Sequence, residues 1–146
     1  MKKIISAVLM VFAFAATISA QQIEKIFDKY QEDERFQYVY KKGSNSTSFN
    51  NLDFGDVFEG ERTGKMINKK MLILNTKDVN FEKSFTNEVD NALKSDKYEN
   101  ISYVRNGKNR VSEYYRETSR GIDKVQFIDN GSNNILLVWR SYEKQK

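Results

Sequence analysis

The chain has 146 residues, a formal net charge of +4, and no cysteine, histidine or proline. Those absences exclude disulfides, thiolate nucleophiles, zinc-thiolate centres, Ser-His-Asp and Cys-His catalysis and HExxH metal sites, because each needs a residue type the chain lacks. An enzyme built without them would need Ser-Lys or paired-carboxylate chemistry, so the expectation is a non-enzymatic protein with no cofactor and no metal.

Met1-Lys2-Lys3, the apolar run Ile4 to Ile18 and the small residues Ser19-Ala20 follow the basic, apolar and cleavage-site order of a secretory signal. The run is shorter than the roughly 20 apolar residues of a spanning helix. Cleavage is therefore expected after Ala20, leaving residues 21–146 as a single domain that does not span the membrane and is periplasmic or secreted. No cysteine stands at the cleavage point to carry a lipid. Loss of Lys2 and Lys3 lowers the formal charge from +4 to +2. What basic surplus remains lies late in the chain: Lys97 to Lys146 holds 10 basic and 6 acidic residues, against 12 and 14 from Gln21 to Asp96. A surface meeting an anionic partner is thus sought in the C-terminal third.

Ile23, Ile26, Phe27 and Tyr30 recur at the spacing of one helix face and predict a helix over Gln22 to Gln31. Phe36, Tyr38 and Tyr40 then alternate with Gln37 and Val39 as a strand. Residues 43–64 are rich in Ser, Asn, Thr and Gly and read as a long polar loop, with a short helix expected over Leu52 to Glu59. Asp53, Asp56, Glu59 and Glu61 within it lack the spacing of a Ca²⁺ loop. Met71 to Leu74 is continuously apolar, as in a strand covered on both faces. Phe81, Phe85, Val89 and Leu93 step by four residues, predicting a second helix over Phe81 to Ser95 capped by Asn80.

The remainder predicts a four-strand meander: Ile101 to Arg105, Val111 to Thr118, Lys124 to Asp129 and Ile135 to Ser141, with turns at Asn106-Gly107, Arg120-Gly121 and Asp129 to Asn134. The unbroken apolar run from Ile135 to Trp139 marks the last strand as central. The expected fold class is α+β: a two-layer sandwich with a mainly antiparallel sheet of about six strands and both helices on one face. The Met71 strand, the second helix and the Ile101 strand are expected to form a right-handed crossover that makes those two strands parallel. The alternative is a curved sheet wrapped around a helix and a pocket, as in nuclear-transport-factor-like or cystatin-like folds.

With helices on one face only, Arg105, Arg110, Arg116 and Arg140 are expected to alternate with tyrosines such as Tyr114 on the other, forming a basic, aromatic binding surface. An ordinary solvated face with snorkelling arginines is the competing reading. The stretches IEKIFDKYQEDERFQYVY, MLIL, FEKSFTNEVDNALKSDKYENI, VSEYYRE and NNILLVWRSY together resemble the DUF4252 family of exported bacterial proteins. The chain departs from that pattern at Gly43 to Asn51, where family members continue the first strand toward a helix. The resemblance implies an envelope protein of Gram-negative bacteria and assigns no residue a role. The expected function is accordingly a module that binds a protein or an envelope component, and not nucleic acid. The alternative is a carrier of a small apolar ligand held between helices and sheet.

Overall fold

The computed structural model describes residues 21–43 and 63–144. The expected signal segment, the short helix at Leu52 to Glu59 and the acidic residues around it lie outside the described residues. Within these, the order is α1 (Gln22–Tyr30), β1 (Phe36–Lys42), β2 (Thr63–Asn75), α2 (Val79–Ser95), β3 (Glu99–Asn106), β4 (Asn109–Glu117), β5 (Gly121–Asp129) and β6 (Asn134–Lys144). The six strands form one antiparallel sheet in the order β1-β2-β6-β5-β4-β3. This is the expected α+β sandwich with its C-terminal meander.

Both helices lie on one face because their apolar stripes need a common cover. Ile23, Ile26, Phe27 and Tyr30 of α1 and Phe85, Val89, Ala92 and Leu93 of α2 bury into one core with Phe36, Leu72, Leu74, Val125, Phe127, Ile135, Leu137 and Trp139 of the sheet. Tyr30, Phe36, Phe81 and Phe85 meet there edge to face or tilted, with ring centroids 4.7–6.2 Å apart, in the range where aromatic pairs attract beyond their buried area. Side chains thus fill the layer in which an apolar ligand would have to sit.

The cap of α2 is Asp78 rather than the expected Asn80: its carboxylate accepts from the N–H groups of Asn80 and Phe81 at 3.0 and 3.1 Å. Asp and Asn are comparable caps. Thr76 Oγ1 accepts from the Asp78 N–H at 3.1 Å and so helps set the chain's entry. At the other end Lys97 takes φ +59°, while Tyr98 N–H donates to Leu93 O and Lys97 N–H to Lys94 O. That pairing satisfies the last carbonyls of the helix.

Strand β2 extends well beyond the apolar run that signalled it, starting at Thr63. Register shifts between Thr63 and Asn68 interrupt its pairing with β6, which explains why this half carries no clean alternation. Strands β2 and β3 share one direction, as expected of the crossover between them, but they are not neighbours. Three strands separate them, and they run in the same direction because four successive antiparallel pairings connect them. A two-residue hairpin ties β3 to β4, while β6, apolar throughout its middle, takes the buried place beside β2. Its Ile135 to Trp139 alternate between the helix-side core and a second cluster on the opposite face, Met71, Leu136 and Val138 with Val39, Ile73 and Ile128 around it.

Gly121, read as part of a turn, instead opens β5 opposite Glu143. A Cβ there would collide with the carbonyl oxygen of Tyr142. Close backbone approach, rather than turn geometry, requires glycine at this point.

Candidate interaction surface

The hairpin β3–β4 turns through Gly107-Lys108, with Gly107 at φ +62° and Asn106 opposite Asn109. Positive φ at the first loop residue is the II′ geometry that matches strand twist. Beyond the turn, Arg110, Ser112, Tyr114 and Arg116 occupy alternate positions of β4 and therefore share one face. That face is the helix side. Arg105 joins it, standing directly across from Arg110.

Four of the five residues expected to form a binding face are thus together, but beneath or beside the helices rather than on the opposite face. The sheet's register explains the difference: Ser112 and Tyr114 pair with Phe127 and Val125, which are core residues. Arg110 acts as a strut between sheet and helix. It donates to Asp90 of α2 at 3.3 Å, to Ser112 Oγ at 3.0 Å and to Tyr114 Oη at 3.3 Å. Its guanidinium also faces the rings of Phe127 and Tyr103, 5.0 and 5.7 Å from their centroids. Such a cation, half-shielded and over two rings, is held in place by electrostatics as well as hydrogen bonds.

Arg116 closes a second polar cluster at the far end of α2. It donates to Asp123 Oδ2 at 2.9 Å and to the backbone oxygen of Asp96 at 3.2 Å, over the ring of Tyr98. The Asp96 side chain in turn accepts from the N–H groups of Gln22 and Ile23 at 2.9 and 2.8 Å. Helix α1 has no cap of its own, since Gln21 makes no side-chain cap hydrogen bond; Asp96, distant in sequence, supplies one. A carboxylate at a helix N-terminus satisfies open N–H groups and suits the helix dipole. Burial pushes the Tyr98 hydroxyl well above the usual tyrosine range, with the Asp123 carboxylate adding to the rise and Arg116 opposing it. Tyr98 therefore stays neutral here. An open depression of about 1030 Å³ adjoins this cluster, lined by Glu24, Asn68, Arg116, Asp123, Trp139 and Ser141 among others. Arg116 is paired with Asp123 and bonded to the Asp96 backbone, and the Asp96 carboxylate holds the start of α1, so the cluster works as a clasp joining α1, α2 and the sheet.

Arg140 does not join the other arginines. It lies in a row with Lys69 and Lys124, on the face away from the helices, and is only 5% exposed. Ser141 and Lys144 have the S-x-x-K spacing of some serine-lysine enzymes. They stand on a strand, however, where residues three apart project to opposite faces.

What sequence reasoning missed is the edge formed by β3, beyond which no strand lies among the described residues. Ile101, Tyr103 and Val104 remain 43%, 55% and 59% exposed, although one flank of the strand is paired along its length. Ile101 sits at a register shift between Asn100 and Ser102. Because Asn106 and Asn109 close a two-residue loop, alternation directs the backbone N–H and C=O groups of Tyr103 and Arg105 away from β4. The opposite edge differs. Strand β1 ends in Lys41 and Lys42, the charge that discourages strand addition. The signal for the β3 edge was present in the two-residue turn and the lack of an apolar run in Glu99 to Asn106, but strand order alone decides which strand is left outside. Comparison of the chain with protein-family models, with curated proteins and with solved structures finds no match.

Proposed function

We propose that this chain is an exported, non-enzymatic binding module that takes an extended segment of another polypeptide onto the free edge of β3. The observation that carries this reading is the exposure of Ile101, Tyr103 and Val104 beside outward-facing backbone groups on a strand that, among the described residues, has no neighbour on that side. Strand addition draws affinity from main-chain hydrogen bonds and specificity from alternate side chains. Both are available here: Tyr103 and Arg105 face one side, Ser102 and Val104 the other. The strut through Arg110 supports the reading further, because its guanidinium, 5.7 Å from the centroid of the Tyr103 ring, favours one position of that ring and so lowers the ordering cost of binding. The signal-like sequence of Met1 to Ala20 and the resemblance to DUF4252 proteins support a partner in the bacterial envelope.

The test is site-specific photo-crosslinking from position 103 in the native host. The expected result is a crosslink to a single extended segment of a polypeptide, lost when Arg105→Pro removes one outward N–H. That substitution breaks no bond to β4, since the same N–H points away from it. Crosslinks that persist unchanged in Arg105→Pro, or none to any polypeptide, would overturn the reading.

A further inference from the structure

We propose that the segment filling this edge is β3 of a second copy, paired antiparallel about a two-fold axis through Val104. This rests on the reading of β3 as a strand acceptor and names its partner. A two-fold interface requires a self-complementary surface, and β3 supplies one.

Backbone parity selects the axis. With the axis at Val104, Tyr103 of each copy stands opposite Arg105 of the other. These are the two residues whose N–H and C=O groups face outward, so the pairing closes roughly four hydrogen bonds in register. An axis at Tyr103 would instead set Arg105 against Ile101, where the register shift lies, and would close about half as many bonds.

The side chains agree with that choice. On the helix side, each Tyr103 ring faces the guanidinium of Arg105 from the second copy while its own Arg110 already lies 5.7 Å from the ring centroid. Each ring is then flanked by cations from both chains, a favoured contact for an exposed tyrosine. On the other side Val104 meets Val104 in the closely spaced, non-hydrogen-bonded position, where side chains approach to about 4.5–5.5 Å between Cβ atoms. Glu99 at one end of the strand is brought toward Lys108 at the turn of the second copy, placing opposite charges together at both ends. The β1 edge, with Lys41 and Lys42 near its end, has no such arrangement.

One pair of edge strands covers less than the about 1,200 Å² of a typical stable interface, so the association depends on concentration. Native mass spectrometry and sedimentation of the chain purified from its own host's envelope are the measurements. We expect a dimer whose fraction rises between about 1 and about 100 μM. Val104→Lys and Val104→Glu set like charges against each other at the axis. Each is expected to weaken the dimer at least about tenfold, and an equimolar mixture of the two to restore it as a heterodimer. Arg105→Pro, which leaves the backbone bonds between β3 and β4 intact and loses only the bond from Arg105 Nε to Gly107 O, is expected to weaken it as well. A chain that stays monomeric up to about 100 μM, a dimer indifferent to charge at Val104, or a mixture that fails to recover would each overturn the proposal. A monomer whose position 103 still crosslinks to another envelope polypeptide would remove self-pairing while leaving the strand-acceptor reading in place.

Discussion

Strands β6 and β3 belong to the same sheet and follow the same pleat, yet from Ile135 to Arg140 every residue of β6 is buried while β3 buries none fully. Sheet position accounts for the contrast. Strand β6 has hydrogen-bonded neighbours on both sides and apolar clusters on both faces; among the described residues β3 has one neighbour and lies past the reach of α2, which extends to β4 through the Asp90–Arg110 pair. The same backbone groups that lock β6 in place are half unused in β3. Burial is concentrated at the centre of the sheet, and unpaired backbone groups are left, among the described residues, at its edge.

The largest expected effect that breaks this comparison is at the centre. Leu137→Ala, at a fully buried position, should cost about 2–5 kcal/mol in urea unfolding. Val104→Ala should stay within about 0.5 kcal/mol of the parent protein. Equal losses at both positions would contradict the contrast.

A middle-sized effect sharpens it by testing the clasp. Asp96→Ala removes the cap from α1 and is expected to cost about 1–3 kcal/mol. Amide exchange should accelerate first in Gln22 to Tyr30, with β5 and β6 still protected. Uniform acceleration across the sheet would mean that Asp96 does not act through α1.

The smallest effect is a pH dependence at the α1–β1 turn. Asp33 accepts from Arg35 Nε at 3.0 Å and Nη2 at 2.6 Å, and these hydrogen bonds lower its pKa to about 2. A carboxylate depressed in the folded state adds stability that is complete above its unfolded value near 4 and is lost as pH falls toward 2. Asp33→Asn should therefore flatten the melting temperature across that window and leave it nearly unchanged at pH 7, since an exposed pair contributes little. An identical pH slope in both proteins would exclude this pair as its source.

Much of the fold was legible from periodicity, because burial writes itself into spacing. The stripe of Phe85, Val89 and Leu93 and the run Ile135 to Trp139 report what covers them. Less legible were features made by distant residues. Asp96 caps a helix that begins 74 positions earlier, and nothing near Gln21 announces it. The arginines were misplaced for a related reason: alternation in β4 correctly grouped Arg110, Tyr114 and Arg116, but only cross-strand register with Phe127 and Val125 shows which face they occupy. Arg140 alone lies on the face expected for all of them, away from the helices, and there it is buried. The β3 edge depends on strand order, which local pattern does not encode. A crossover to an adjacent strand would have placed β3 beside β2, and the free edge would have moved elsewhere.

Residue-resolved amide hydrogen exchange of β3 tests the central claim most directly. In dilute protein Tyr103 and Arg105 should exchange fast and Val104 slowly, since only the last amide is bonded to β4. Raising the protein concentration, or adding an extract of the host, should slow Tyr103 and Arg105 and leave β1 unaffected. If those two amides exchange fast under every condition while the fold stays intact, β3 is not a strand acceptor.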